Sequence, residues 1–149
     1  MPKIKSQMNW IDKIYQDYDG NVGVETLEVE INNTTGIYSL PDNSLLRSHR
    51  VLGVFVADNA SDDRYSPSSG RQLVTQAALR NASLTLKCNN VTVLDNVPLM
   101  HCATTLNDHR VHPLKSSNLT PDQSSVRFGN PGTVLSTGRS LLLHFYYQM

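Results

Sequence analysis

Few residues of this chain are equipped for chemistry, and they lie scattered. Cys88, His101, Cys102, His109 and His112 carry the thiols and imidazoles that a zinc ion takes. Their spacing contains no CxxC, and His109 and His112 bring both rings to one side only on a helix. Pro113 follows His112 directly and biases it away from helix. A metal would therefore need the fold to gather these residues from afar, and no metal or other cofactor is expected. For Cys88 and Cys102, two reduced buried thiols is the first reading, one disulfide the second and a metal site a distant third. Two cysteines in 149 residues are not a disulfide framework. Asp58, Asp62 and Asp63 cluster in a polar stretch but lack the alternating ligands and closing glutamate of an EF-hand loop. Glu28 and Glu30 sit two residues apart, so they share one side of a strand, and no partner acid or base lies near in sequence. A solvated strand face explains them. Arg47, His49 and Arg50 are the nearest approach to a basic patch and read as a solvated strand entry rather than a phosphate clamp. A histidine-dependent hydrolase using His109 or His112 lacks any supporting GxSxG or HExxH. The chain is expected not to be an enzyme.

Composition narrows the classes further. Thirteen basic and thirteen acidic residues balance to zero net charge, which argues against direct nucleic-acid binding by bulk electrostatics. Charged residues make up 17%, below the usual quarter; Asn, Ser and Thr fill the gap. No apolar run approaches the roughly 20 residues that span a bilayer. MPKIKSQMNWIDKIYQ has no apolar core of a secretory signal, so sequons such as Asn59-Ala60-Ser61 and Asn81-Ala82-Ser83 read as by-products of the polar composition. At 149 residues the chain fits one core-forming domain.

The elements that would position these residues are strands. ASLTLKCNNVTVLDNVPL, Ala82 to Leu99, reads as a hairpin closed by Asn89-Asn90, a pair that tolerates the positive φ of a primed turn. Closure there sets Cys88 opposite Val91, Lys87 opposite Thr92, Leu86 opposite Val93 and Thr85 opposite Leu94. Leu84, Leu86, Cys88, Val91 and Val93 then share the buried face. Val24 to Ile31 alternates as a half-exposed strand. Ser48 to Ala57 loses alternation, as a strand covered on both sides does, and Gly53 within it marks a bulge or close backbone approach. Gly36 to Leu40 is a further short strand. Arg139 to Tyr147 has two apolar faces: Leu141, Leu143, Phe145 and Tyr147 on one, Leu142, His144 and Tyr146 on the other. It belongs in an interior or at an interface.

Helical signals are short. Met8, Ile11, Ile14, Tyr15 and Tyr18 predict an amphipathic helix within Ser6 to Asp17, ended by the Asp19-Gly20-Asn21 turn. It packs on its own domain or docks on a neighbour; the sequence weights these equally. Leu73, Val74, Ala77 and Ala78 predict a helix within Arg71 to Asn81, capped by Ser68 or Ser69. Thr120-Pro121-Asp122-Gln123 predicts one helical turn with Thr120 as cap. Val126 to Phe128 and Thr133 to Leu135 read as strands around a turn. Seven or eight strands with Gly/Pro/Asn turns and no βαβ rhythm give an all-β fold, an antiparallel β-sandwich, jelly-roll-like, with one or two short helices. Residues 1–20 form an N-terminal arm and 21–149 the single sandwich domain.

RYSPSSGRQLVTQAALRNASLTL and the short-turn hairpin ending in VPL resemble small β-rich virion proteins of tailed or icosahedral bacteriophages, of the minor capsid, fibre-anchor or connector type. The resemblance spans about the central third of the chain and carries no functional residues across. It implies a virion-located structural protein that binds its own copies and other virion proteins, with a homo-oligomer expected. Aromatic anchors dominate many interfaces, which makes Trp10, Tyr15 and Tyr18 in the arm, Tyr65 in the long loop, and Phe145 and Tyr147 in the last strand the interface candidates. The alternative is a carbohydrate-binding β-sandwich that uses Tyr38 and Tyr65 beside Asp- and Asn-rich loops.

Overall fold

Two sheets face each other across one apolar layer. The structure is a computed structural model that describes residues 10–31, 36–57, 65–104, 110–129 and 139–149, with the backbone alone at 76, 77, 116 and 117. In chain order the elements are α1 (Trp10–Asp17), β1 (Val22–Ile31), β2 (Ile37–Ser39), α2 (Ser44–Ser48), β3 (Val51–Ala57), β4 (Gln72–Leu73), α3 (Gln76–Leu79), β5 (Ala82–Cys88), β6 (Val91–Pro98), β7 (Ala103–Thr104), β8 (His112–Ser117), β9 (Ser125–Phe128) and β10 (Arg139–Gln148). Single 3-10 turns lie at Leu99–His101 and Pro121–Gln123. The first sheet runs β1-β10-β3, with β7 and β8 both on the far side of β3 and β4 beside the start of β10. The second runs β2-β9-β5-β6. Most pairings are antiparallel; β4 with β10 and β3 with β7 are short parallel contacts. The chain is a β-sandwich.

Strand periodicity places the core. Leu27, Val29 and Ile31 of β1, Val54 and Val56 of β3, and Leu141, Leu143 and Phe145 of β10 meet Leu84 and Leu86 of β5, Leu94 of β6, and Val126 and Phe128 of β9. The other side of the first sheet is also apolar. There Leu52 and Phe55 of β3 and Tyr146 of β10 are covered by Trp10, Ile11, Ile14 and Tyr18. Of the two expectations for the leading segment, packing on its own domain is what residues 10–18 do; the rest of the predicted helix, Ser6 to Asn9, lies outside the described residues. The Trp10 ring meets Tyr146 edge-on at 5.5 Å. It drops into the notch left by Gly53, where an added Cβ would lie 2.6 Å from the indole. Gly53 is therefore the close approach read from its place in β3. α1 ends as expected at Asp19-Gly20, where Gly20 at φ +77° lets its N–H reach Tyr15 O at 2.7 Å.

Several expectations are corrected. Asn89 and Asn90 do close the hairpin at φ +48° and +70°, and Cys88 faces Val91 and Lys87 faces Thr92. Beyond that the register slips: Leu86 faces Leu94, not Val93, and Leu84 faces Val97. Bulges in β6 absorb the extra residues, one of them at Asn96 with φ +47°. Thr85, predicted opposite Leu94, instead donates from Oγ1 to Asn96 Oδ1 and accepts at Oγ1 from the Asn96 backbone N–H. The slip turns the larger Leu94 into the core; Val91, expected on the buried face, keeps its pairing with Cys88 and is exposed at 64%. The helix predicted within 71–81 is confined to Gln76–Leu79, because residues 72 and 73 pair with β10 as β4. Its cap is Thr75, whose Oγ1 accepts from Ala78 N at 3.2 Å, not Ser68 or Ser69. α2, unpredicted, starts at Asn43, whose Oδ1 accepts from Leu46 N. Thr120 does not cap its turn: its Oγ1 takes the Asn89 N–H and Gln123 Oε1 takes that of Asn90, so this turn braces the hairpin loop. The predicted strand at Thr133 to Leu135 lies outside the described residues.

The Gly53 notch makes a test, because Trp10 is the sole tryptophan. Gly53→Val is expected to expel the indole, red-shift its fluorescence and cost about 1–3 kcal/mol by overpacking. Unchanged emission would show that α1 is not seated there.

Candidate functional site

The polar side chains that converge do so on the outer face of the first sheet. In an antiparallel pair, opposite residues share a face. The register sets Thr26 opposite His144 and Glu28 opposite Leu142, and Phe55 of β3 lies on the other side of His144. This row is roofed by a strap, residues 65–71, that runs into β4. The His144 ring is buried, stacked on Phe55 at 4.6 Å and 18°, with Tyr65 5.4 Å away. Its Nδ1 shares a 2.8 Å hydrogen bond with Thr26 Oγ1.

Glu28 ties the strap to the sheet. Its Oε1 accepts from Ser68 Oγ at 3.0 Å and Ser69 N at 3.3 Å, and its Oε2 accepts from Ser140 Oγ at 3.1 Å. This corrects the reading of Glu28 as a solvated strand residue. Partial desolvation pushes its pKa up, but the hydrogen bonds from Ser69, Ser68 and Ser140 outweigh it and hold the carboxyl below the usual glutamate value. Glu30, also placed on the solvated face, stands 3.6 Å from Arg71, at the end of the strap. Arg139 Nη1 donates to Leu73 O at 2.7 Å and Val74 N to Ser140 O, which fixes the segment that follows.

Two adjoining cavities result. One, of about 360 Å³, has Thr26, Glu28, Leu142 and His144 as its floor and Tyr65, Ser66 and Ser68 as its rim. The other, of about 280 Å³, shares Tyr65 and Ser66 and extends along Arg71, Gln72 and Leu73. Chemically the pair offers a fixed carboxylate, hydroxyls, an imidazole and an aromatic ring. That set suits reversible polar binding.

The sequence-predicted interface residues divide. Trp10 and Tyr18 pack inward on the outer face of the first sheet, and Tyr65 joins the same cluster. Tyr15 stays exposed at 40%. Tyr146 beneath them has its phenol pushed up to about 12, by burial first and then by Tyr15 and Tyr65 nearby. Phe145 is fully buried between the sheets and has no surface to offer a neighbour. Tyr147 is half-buried over Gly23 and beside His49. Tyr38, the second aromatic of the carbohydrate alternative, is half-buried and packs edge-on against Phe128, away from the strap. Arg47 is no phosphate clamp: Asp42 and Asp122 both bind its guanidinium.

The potential metal ligands are not gathered. Cys102 is buried, its Sγ 3.4 Å from Leu99 O and its thiol pushed up to about 12 by burial. Cys88 is half-buried, and the two thiols are not bonded to each other. His112 lies in β8, consistent with the bias from Pro113, while His109 and Asp58 to Arg64 are outside the described residues. Among the described residues no three of His, Cys, Asp and Glu come together as a metal site, and no helix is long and apolar enough to cross a membrane. Thr26, Glu28, Ser140 and His144 were not signalled as a set. The only hint is the alternation of β1, which places Thr26, Glu28 and Glu30 on one outward face.

No family model, curated protein or solved structure matches the chain.

The Glu28 clamp predicts an acid-dependent stability. Its depressed pKa contributes stability that is full above the ordinary glutamate value of ~4.3 and is lost as pH falls through the lower folded value. Glu28→Gln is expected to cost on the order of 1–2 kcal/mol at neutral pH and to differ least from wild type in that acid window. Urea midpoints across pH measure this; parallel curves would count against the clamp.

Proposed function

We propose that the chain is a structural, assembly protein of a virion, a jelly-roll module that binds copies of itself and other capsid or tail components. The observation that carries this is strand order. With the two-residue β4 and β7 set aside and the other eight strands counted along the chain, one sheet runs 1-8-3-6 and the facing sheet 2-7-4-5. Two nested Greek keys give that order, which viral capsid and lectin domains use. Architecture alone hosts many functions, and the surface favours assembly among them. Large apolar side chains remain exposed on three of the strands that edge the sheets: Val24 on β1 at 46%, Ile37 on β2 at 63% and Val91 on β6 at 64%. Among the described strands only β10 pairs with β1, so ten residues of edge face outward. An edge with apolar side chains is a template for strand addition from another chain. The phage-protein texture of residues 64–99 points the same way.

Native mass spectrometry of the full chain is expected to show a multiple of 16.6 kDa. Ile37→Lys combined with Val91→Lys should move the population towards the single-copy mass without lowering the melting temperature, since both side chains are exposed. A single-copy mass at every concentration would overturn self-assembly.

A further inference from the structure

We infer that the groove under the strap binds a glycan, a short oligosaccharide of neutral sugars laid across Tyr65. This stands independently of the assembly proposal. A sugar ring offers two kinds of surface: neighbouring hydroxyls that pair with planar polar groups, and a C–H face that rests on an aromatic ring. The groove supplies both in sequence. The larger cavity is lined by Glu28, Ser66 and Ser68, a carboxylate and two hydroxyl-bearing residues. The smaller is lined by Arg71 and Gln72, which carry a guanidinium and an amide. Tyr65 borders both, supported beneath by Phe55 and His144 at 6.2 and 5.4 Å.

The site is built rather than incidental. A carboxylate has about four acceptor positions, and Ser68, Ser69 and Ser140 fill three on Glu28. One remains for a ligand hydroxyl, on a side chain whose position is already fixed, so binding adds little ordering cost. At about 360 and 280 Å³ the two cavities together fall in the range of small-ligand sites, about 300–1,000 Å³. Other ligand classes fit less well. A phosphate or sulfate would meet the Glu28 charge, and an apolar ligand would find mainly Leu142 and Leu73.

The full-length protein would be applied to an array of defined oligosaccharides, and any binder titrated by calorimetry. The decisive variant is Ser66→Trp, which fills the junction of the cavities from an exposed position and so leaves folding intact; its melting temperature verifies this. At least one neutral oligosaccharide should bind, and Ser66→Trp should weaken it by about tenfold or more, which is 1.4 kcal/mol. Glu28→Gln should weaken the same ligand while Tyr65→Phe, which keeps the ring, should not. Binding of no oligosaccharide, or binding that Ser66→Trp leaves unchanged, would overturn the site.

Discussion

Strand β10 has no polar side to give to water, and the rest of the molecule follows from that constraint. From Ser140 to Tyr146 every residue is buried. Leu141, Leu143 and Phe145 need one apolar partner and Leu142, His144 and Tyr146 need another. A single two-sheet sandwich satisfies only the first. The second sheet covers the inner side, while the outer side is covered piecemeal: α1 lies over Tyr146, and Tyr65 of the strap lies over Leu142 and beside His144. Each fully buried side chain of this size contributes about 1.5–3 kcal/mol relative to exposure. Leaving one face of a central strand wet would therefore cost a large part of the 5–15 kcal/mol by which domains are stable.

This piecemeal cover also makes the groove. A helix packed along the whole sheet would have sealed the outer face. Instead α1 spans eight residues and ends at Gly20, and a polar strap takes over. A strap of Ser66, Pro67, Ser68, Ser69 and Gly70 has little apolar surface with which to stick, so Glu28 holds it by hydrogen bonds to a charged acceptor. Such bonds are stronger than neutral ones. The hydroxyls that hold the strap down and the cavity between strap and sheet thus have one origin.

The parts legible in the sequence were those set by local geometry. The Asn89-Asn90 turn, the alternation of β1 and the two apolar faces of β10 each depend on backbone preference or on a period of two, and each can be read within ten residues. What was illegible depends on contacts between distant segments. The slip of β6 is one case: Val93 and Leu94 are both apolar, and only the sheet facing them decides which points inward. Glu28 is another. Its outward position follows from the alternation of β1, but its partners lie 40 and 112 residues away, and serines carry no sequence mark of a carboxylate at that distance. Trp10 is a third. Its aromatic character suggested an anchor for a neighbour, whereas the ring that it seeks, Tyr146, belongs to the same chain.

With α1 folded home, the surface left for partners changes in kind. Trp10 and Tyr18 are committed to the outer face of the first sheet and Phe145 to the core, so aromatic anchoring through the arm is largely spent within the domain. What remains is backbone and its flanking side chains at the sheet edges. Edge pairing is promiscuous unless guarded, and charges at an edge are the usual guard. β1 carries three, Glu25, Glu28 and Glu30, and Glu25 Oε1 already takes the Thr26 N–H at 3.1 Å. The second sheet is less guarded: the three-residue β2 has no charged side chain at all. Its exposed Ile37 stands opposite Arg127 of β9. Any association through the second sheet would therefore meet less resistance than one through β1, where a partner strand must displace a carboxylate from its donor. This asymmetry would leave the outer face of the first sheet, and the groove upon it, open to a different ligand.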